Sequence, residues 1–222
     1  MKTLLILIIT VFALLFSGCG LFDSNDTSTI IAIEKLPPRT QDNPVELTQC
    51  TYQMVPQGQT FVSFSLHETA EVGYAFYNGT VEIYNAQRNS VHSAIFFPVG
   101  NALTTLTLDK GTYTAKLQNS LNTGSYFTLY SEHSGLACSA IRGSQKVNII
   151  SGVNAFLALE VDHEAALTAT LSRGTVTLLG SNLTVIEAPS TTLHVTSLPK
   201  GNYILLVHNP DRLSSTLNVT IR

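Results

Sequence analysis

From Gln59 onward the apolar side chains recur at every second position in short runs. Val62, Phe64 and Leu66 alternate with Phe61, Ser63 and Ser65, and Gly, Asn or Pro separates one run from the next. A period of two is the mark of half-buried strands. The spacing predicts strands over 60–66, 72–77, 80–84, 93–97, 103–108, 111–118 and 125–130. A short connector follows over 135–143, and the scheme returns over 155–161, 166–171, 174–179, 183–186, 191–196, 201–209 and 215–221. No stretch of this region has a helical period.

Two signals recur in the same order. Lys110-Gly111-Thr112-Tyr113 and Lys200-Gly201-Asn202-Tyr203 each open a strand, and 203 − 113 = 90 gives the period. Upstream, Gly79-Thr80-Val81-Glu82-Ile83 matches Gly174-Thr175-Val176-Thr177-Leu178, with 174 − 79 = 95. A period of this size is that of one small sandwich used twice. The expected fold is all-β, with two tandem antiparallel β-sandwich, jelly-roll-like domains over 47–138 and 146–222 joined by a linker over 139–145. Tyr113, inward-facing and just after a glycine turn, occupies the place of a tyrosine corner.

Both copies resemble the bacterial prepeptidase C-terminal domain, a jelly-roll-like sandwich in which one short apolar strand precedes a Gly-x-Tyr strand. The matching stretches are Thr80-Val81-Glu82-Ile83-Tyr84 with Gly111-Thr112-Tyr113, and Thr175-Val176-Thr177-Leu178-Leu179 with Gly201-Asn202-Tyr203. Some members of that family hold calcium through aspartates near the first strand. Here Gly, Thr and Glu82 occupy those positions in one copy and Thr in the other, so no metal or other cofactor is expected.

Ahead of the repeats, Lys2 precedes an apolar run from Leu4 to Phe16, which is 16 − 4 + 1 = 13 residues. A membrane-spanning helix needs about 20, so residues 1–18 read as a secretory signal peptide. Ser17-Gly18-Cys19 resembles the lipobox of bacterial lipoproteins, with Phe16 where most members carry Leu. The resemblance implies that Cys19 is lipidated and becomes the amino terminus. Gly20-Leu21, lacking the Asp that retains such proteins at the inner membrane, implies the outer membrane. Two or three acyl chains anchor a protein stably, because each buried methylene contributes about 0.8 kcal/mol.

Residues 19–46 form the lipidated tether. Asp23 to Thr29 is a flexible polar spacer, whereas Ile30-Ile31-Ala32-Ile33 interrupts it and is expected to dock as an extra edge strand on one of the sandwiches. A strand offered to a partner is the alternative reading of that patch. Pro37-Pro38 and Pro44 stiffen the approach to the first sandwich.

Acylation of Cys19 leaves Cys50 and Cys138, which bracket the first repeat in an oxidising compartment. A disulfide between them is expected, the other possibility being two buried free thiols. The second copy has no cross-link, and seven of the eight tyrosines precede residue 131. Its Leu-, Val- and Ile-rich strands suggest that it folds unaided, with the first copy depending on the disulfide.

The chain of 222 residues has 12% charged side chains and a net charge of −3, and no segment carries a basic excess. No stripe exists to neutralise phosphates, so nucleic acid is not an expected partner. Catalytic constellations are also missing from the pattern. There is no Gly-x-Ser-x-Gly elbow, and no helix to carry one. His67-Glu68 and His163-Glu164 fall at matching places and read as polar turn pairs, since strand neighbours point to opposite faces. Asp162 and Glu164 read as solvated surface, and of the rings at Tyr74, Phe76, Tyr77, Tyr84, Phe96 and Phe97, one or two are expected to be exposed. The first reading is therefore a non-enzymatic, lipid-anchored envelope protein that binds another protein as an accessory or scaffold component. A glycan or other surface-ligand module is the alternative, and a hydrolase the third.

Overall fold

The computed structural model describes residues 29–31, 33–50, 52–97, 103–122 and 124–222. Among them there are twenty strands and no helix. The segment before the first repeat supplies β1 (Thr29–Ile30), β2 (Glu34–Lys35) and β3 (Val45–Glu46). The first repeat supplies β4 (Gln53–Val55), β5 (Gly58–Leu66), β6 (Ala70–Phe76), β7 (Gly79–Tyr84), β8 (Ser90–Phe96), β9 (Thr104–Leu108), β10 (Gly111–Asn119) and β11 (Ser125–Tyr130). The second supplies β12 (Ala140–Ile141), β13 (Gln145–Ile149), β14 (Val153–Val161), β15 (Ala165–Leu171), β16 (Thr175–Gly180), β17 (Val185–Ser190), β18 (Thr192–Leu198), β19 (Gly201–Asn209) and β20 (Ser215–Ile221).

These strands form four five-stranded sheets. Sheet I runs β3-β5-β10-β7-β8 and sheet II runs β2-β4-β11-β6-β9; sheet III runs β12-β14-β19-β16-β17 and sheet IV runs β1-β13-β20-β15-β18. Within each half eight antiparallel strands pass between two sheets in the jelly-roll order, with β7 and β8, and likewise β16 and β17, staying in one sheet as a hairpin. Adding nine to the number of each of the eight strands in the first half gives the second half, so the repeat seen in sequence is a repeat of topology.

The repeated motifs have a common physical cause. Gly79 and Gly174 have φ of 136° and 96°, and a Cβ on either would lie 2.0 Å from the carbonyl oxygen of Gln118 or His208 on the neighbouring strand. Only glycine fits there. Both Gly-x-Tyr strands close a tyrosine corner: the Tyr113 hydroxyl donates to the Asp109 carbonyl at 2.7 Å, and the Tyr203 hydroxyl to the Pro199 carbonyl at 2.9 Å. Tyr113 also stacks on Phe64 from the paired strand.

Each half has its own core. Val62, Phe64, Val72, Tyr74, Val81, Ile83, Leu117, Phe127 and Leu129 fill the space between sheets I and II. Leu157, Leu167, Val176, Leu178, Leu205, Val207 and Leu217 fill that between sheets III and IV. A third cluster joins the halves. Phe156, Leu179, Ile204 and Leu206 point from sheet III toward sheet II, where they meet Tyr130 and Cys50. Gly73 lies at this seam, and a Cβ there would fall 2.9 Å from Leu183 and 3.3 Å from Phe156. The four sheets are thus stacked in the order I, II, III, IV.

The sheet pairing crosses the boundaries drawn from composition. Within the tether over 19–46, β2 and β3 pair in parallel with β4 and β5 of the first half. The Ile30 patch does dock as an edge strand, and its host is the second half: β1 pairs in parallel with β13, Thr29 opposite Val147. Ile31 is buried in the second core. Linker residues Ala140–Ile141 likewise pair with β14, and Ile141 is buried. The expected cleavage site and Cys19 lie outside the described residues.

Cys50 and Cys138 form a disulfide, with Cα atoms 5.1 Å apart and a sequence separation of 88. It does not sit in the first core. Cys50 Sγ lies 3.6 Å from the Phe156 carbonyl oxygen, so the cross-link is placed in the seam between the halves.

Candidate interaction surface

Among the described residues, strand β8 closes one side of sheet I and is hydrogen-bonded only to β7. Its side chains alternate from His92 to Phe96, and a β-bulge interrupts the alternation at Val91, since His92 lies opposite Ile83 but Ser90 opposite Tyr84. Phe96 turns inward against Tyr74 and Phe76, and His92 packs edge-on against Tyr74. Ser93 and Ile95 turn outward, Phe97 follows at the strand end, and Val91 is exposed at the bulge. Ile95 is 67% exposed and Phe97 70%. These are large values for such side chains, and both lie on the outermost strand of the sheet. Beside them β7 presents Thr80 and Glu82 outward, opposite Ile95 and Ser93, with Tyr84 on the same face. The Tyr84 hydroxyl is pushed up to about 12 by desolvation and by its hydrogen bond with Glu82.

The equivalent strand of the second half differs. β17 also exposes apolar groups, Val185 and Ile186, but carries Glu187 and Pro189. A charge and a proline are devices that stop an edge from accepting another strand. β8 has no proline and no Asp, Glu, Lys or Arg. It carries one bulge, at Val91, and is regular from His92 to Phe96, which leaves that stretch for strand addition.

A second candidate is a cleft of about 440 Å³ at the rim of the seam, lined by Tyr130, Glu132, Glu160, Ser181, Asn202 and Tyr203 among others. Its polar groups already serve one another. The Tyr130 hydroxyl donates to the Ser181 carbonyl at 2.9 Å, and the Ser181 hydroxyl donates to Glu132 at 2.8 Å. Arg142 grips Glu160 through two hydrogen bonds of 2.6 and 3.0 Å, which hold the carboxyl below its usual range. Burial, with Glu132 nearby, pushes the Tyr130 hydroxyl up to about 12.

The residues weighed from sequence are dispersed. His67-Glu68 and His163-Glu164 occupy the turns after β5 and β14, and Glu164 accepts a hydrogen bond from Ser197. Among the described residues no three His, Cys, Asp or Glu side chains are placed to hold a metal ion. Tyr74, Phe76 and Phe96 are core, whereas Phe97 is the exposed ring of the set. The exposed face of β8 was legible in part as alternation over 92–96, but Phe96 and Phe97 in succession hide which face is core.

One titrating group lies on the seam face of sheet III. His208 Nδ1 is 2.5 Å from Asn154 Oδ1, and burial lowers the imidazole below its usual 6.5. A group whose folded value is depressed contributes stability that is complete above its unfolded value and is lost as pH falls through the window beneath it. Stability to urea should therefore decline below about pH 6.5, and His208→Gln should remove that part of the slope. An unchanged slope would exclude His208 as its source.

The fold and its open edge define a tandem jelly-roll protein. No family model and no curated sequence matches the chain. Among solved structures it is similar to the CUB1-EGF-CUB2 segment of human MASP-1/3, at 5% identity and a TM-score of 0.27, over 76% of this chain and 95% of that one. It is also similar to bacterial pirin YhhW from Escherichia coli, solved with nickel(II), at 13% identity and a TM-score of 0.29, over 78% of this chain and 82% of that one. The W96F oxalate decarboxylase of B. subtilis gives 9% identity and a TM-score of 0.26, over 75% and 67%. Scores this low carry no argument about activity.

Proposed function

We propose that this chain is a non-enzymatic, lipid-anchored protein of the bacterial outer membrane that serves as an accessory or scaffold component by binding protein at the β8 edge. The observation that carries the reading is the outermost strand itself, regular and uncharged from His92 to Phe96, with Ile95 and Phe97 exposed on it. Edge strands of this kind take up an extended segment through main-chain hydrogen bonds, while the outward side chains select it. The anchoring rests on the lipobox resemblance at Ser17-Gly18-Cys19. The stacking adds that sheet IV, which β1 enters from the tether side, lies about 30 Å from sheet I at about 10 Å per sheet spacing. Sheet I, which carries the β8 edge, is then the layer farthest from the anchoring membrane.

Two measurements test this reading. Cys19→Ser should move the protein from the membrane to the soluble fraction and abolish fatty-acid labelling; an uncleaved, membrane-bound product would overturn the lipid anchor. Affinity purification from detergent-solubilised membranes should recover a protein in stoichiometric amount with the native chain and lose it with Phe97→Asp. Retention on a polysaccharide column without a protein partner would favour the glycan reading, for which the Tyr130–Tyr203 cleft is the available site.

A further inference from the structure

We propose that the cleft at the rim of the seam admits small thiols that carry no negative group, and that they attack the disulfide at Cys138 and release Cys50 as the displaced thiol. The inference is independent of the β8 edge and of the lipid anchor.

The two cysteines are placed unequally. Cys50 is fully buried in the cluster that joins the halves, whereas Cys138 is half-buried and lines the cleft of about 440 Å³. A cleft of that size holds a small molecule. Exchange begins when a thiolate meets one sulfur of the pair in line with the other, so access decides which member is attacked. Seen from the cleft, Cys138 stands in front and Cys50 behind. Attack forms a bond from the incoming sulfur to Cys138 Sγ, breaks the bond between Cys138 and Cys50, and passes the electron pair to Cys50 Sγ. That sulfur takes up the proton the incoming thiol gave up. The new thiol has an acceptor already in place, the Phe156 carbonyl oxygen 3.6 Å away.

Other bonds hold both ends of the link. The Cys50 amide donates to the Ala137 carbonyl at 3.1 Å, the Ala137 amide to the Thr48 carbonyl at 3.0 Å, and the Ala158 amide to the Ser139 carbonyl at 3.0 Å. The Thr128 hydroxyl donates to the Cys50 carbonyl at 2.6 Å. None of these contacts uses the sulfurs. Cys138 therefore stays beside Cys50 after exchange, and the Cys50 thiol can expel the adduct and restore the disulfide. Cys138 is in this way a reversible modification site at the joint between the halves.

Charge on the cleft selects the thiol. Glu132 and Glu160 both line it. Arg142 neutralises Glu160, while Glu132 is bonded to the uncharged Ser181 hydroxyl. The cleft thus keeps one uncompensated carboxylate. Near a surface, such a charge slows an additional negative charge by about two- to threefold.

The test treats the full chain in detergent with mercaptoethanol, which is neutral apart from its thiol, or with anionic mercaptoethanesulfonate, followed by an acid quench and non-reducing mass mapping. The adduct should sit on Cys138 with Cys50 free, and the rate should not depend on urea below the melting transition. The ratio of the neutral to the anionic rate, divided by the same ratio for the urea-unfolded chain so that intrinsic reactivity cancels, should be about two to three. High salt should bring it toward one, and so should Glu132→Gln, which keeps an acceptor for Ser181. Equal adducts on Cys50 and Cys138, or a rate that rises with urea in step with unfolding, would overturn the cleft as the route of entry. A ratio of one for the native chain, or one unchanged by both salt and Glu132→Gln, would overturn selection by Glu132.

Discussion

Reduction of the Cys50–Cys138 disulfide is expected to destabilise both jelly rolls together, by about 4 to 5 kcal/mol for a closed loop of this order. The separation of 88 residues sets that size. The location sets its reach, because the bond packs with Phe156, Leu179, Ile204 and Leu206 rather than within the first core. Around it the Cys50 amide donates to the Ala137 carbonyl, and the Thr128 hydroxyl to the Cys50 carbonyl. Releasing the link frees the chain at the point where sheet II meets sheet III. Composition alone suggests that residues 146–222 fold unaided, but in isolation they would bare four large seam side chains that are at most 4% exposed in the whole protein. Burying each contributes about 1.5 to 3 kcal/mol. Urea melts followed by tyrosine fluorescence and by circular dichroism should give one coincident transition, shifted to lower urea for Cys50→Ala/Cys138→Ala. Two separated transitions, with only the first half shifted, would show the halves to be independent.

Gly79→Ala and Gly174→Ala are each expected to lower stability by about 2 to 6 kcal/mol, combining backbone strain of about 1 to 3 with overpacking of about 1 to 3. The added methyl meets a main-chain carbonyl, Gln118 or His208, at 2.0 Å, and a carbonyl held in a sheet ladder has little freedom to retreat. Gly143 provides the control. Its φ is 70° but no atom lies within 4 Å of a built Cβ, so Gly143→Ala bears strain without collision. It should be markedly milder. Equal loss in Gly143→Ala and Gly174→Ala would mean that backbone conformation, and not close approach of β16 to β19, explains the repeated Gly-Thr-Val.

The long strands were legible because each shows a core face and a second face at period two, as β7 and β10 do with Val81, Ile83, Ala115 and Leu117. The disulfide was legible by counting cysteines, but its place in the seam was not, since cysteine spacing says nothing about which sheet a bond packs against. The seam had a signal of its own. Ala155-Phe156-Leu157-Ala158-Leu159 and Ile204-Leu205-Leu206-Val207 are unbroken apolar runs, as expected of strands covered on both faces. Strands β1, β2, β3 and β12 span two residues each, too few for any period to show. β13 shows Val147 and Ile149 alternating with Lys146 and Asn148, yet its first residue falls within the stretch that composition marks as linker. For the interaction surface, exposure had to come from the fold: Ile95 and Phe96 differ little in chemistry and are separated by the sheet between them.

The seat beside β13 that β1 fills has a consequence for the order in which the chain can finish folding. In the first half the matching seat is taken by β2, only 53 − 34 = 19 residues from its partner by the pairing of Glu34 with Gln53. In the second half Thr29 must find Val147, a separation of 147 − 29 = 118 residues. Closing so long a loop adds entropy cost and slows the step relative to local pairing. A chain that emerges amino terminus first presents every strand of the first jelly roll before residue 147. β1 thus waits for a partner more than halfway along the chain, and sheet IV is complete only when the first of the described strands meets the thirteenth.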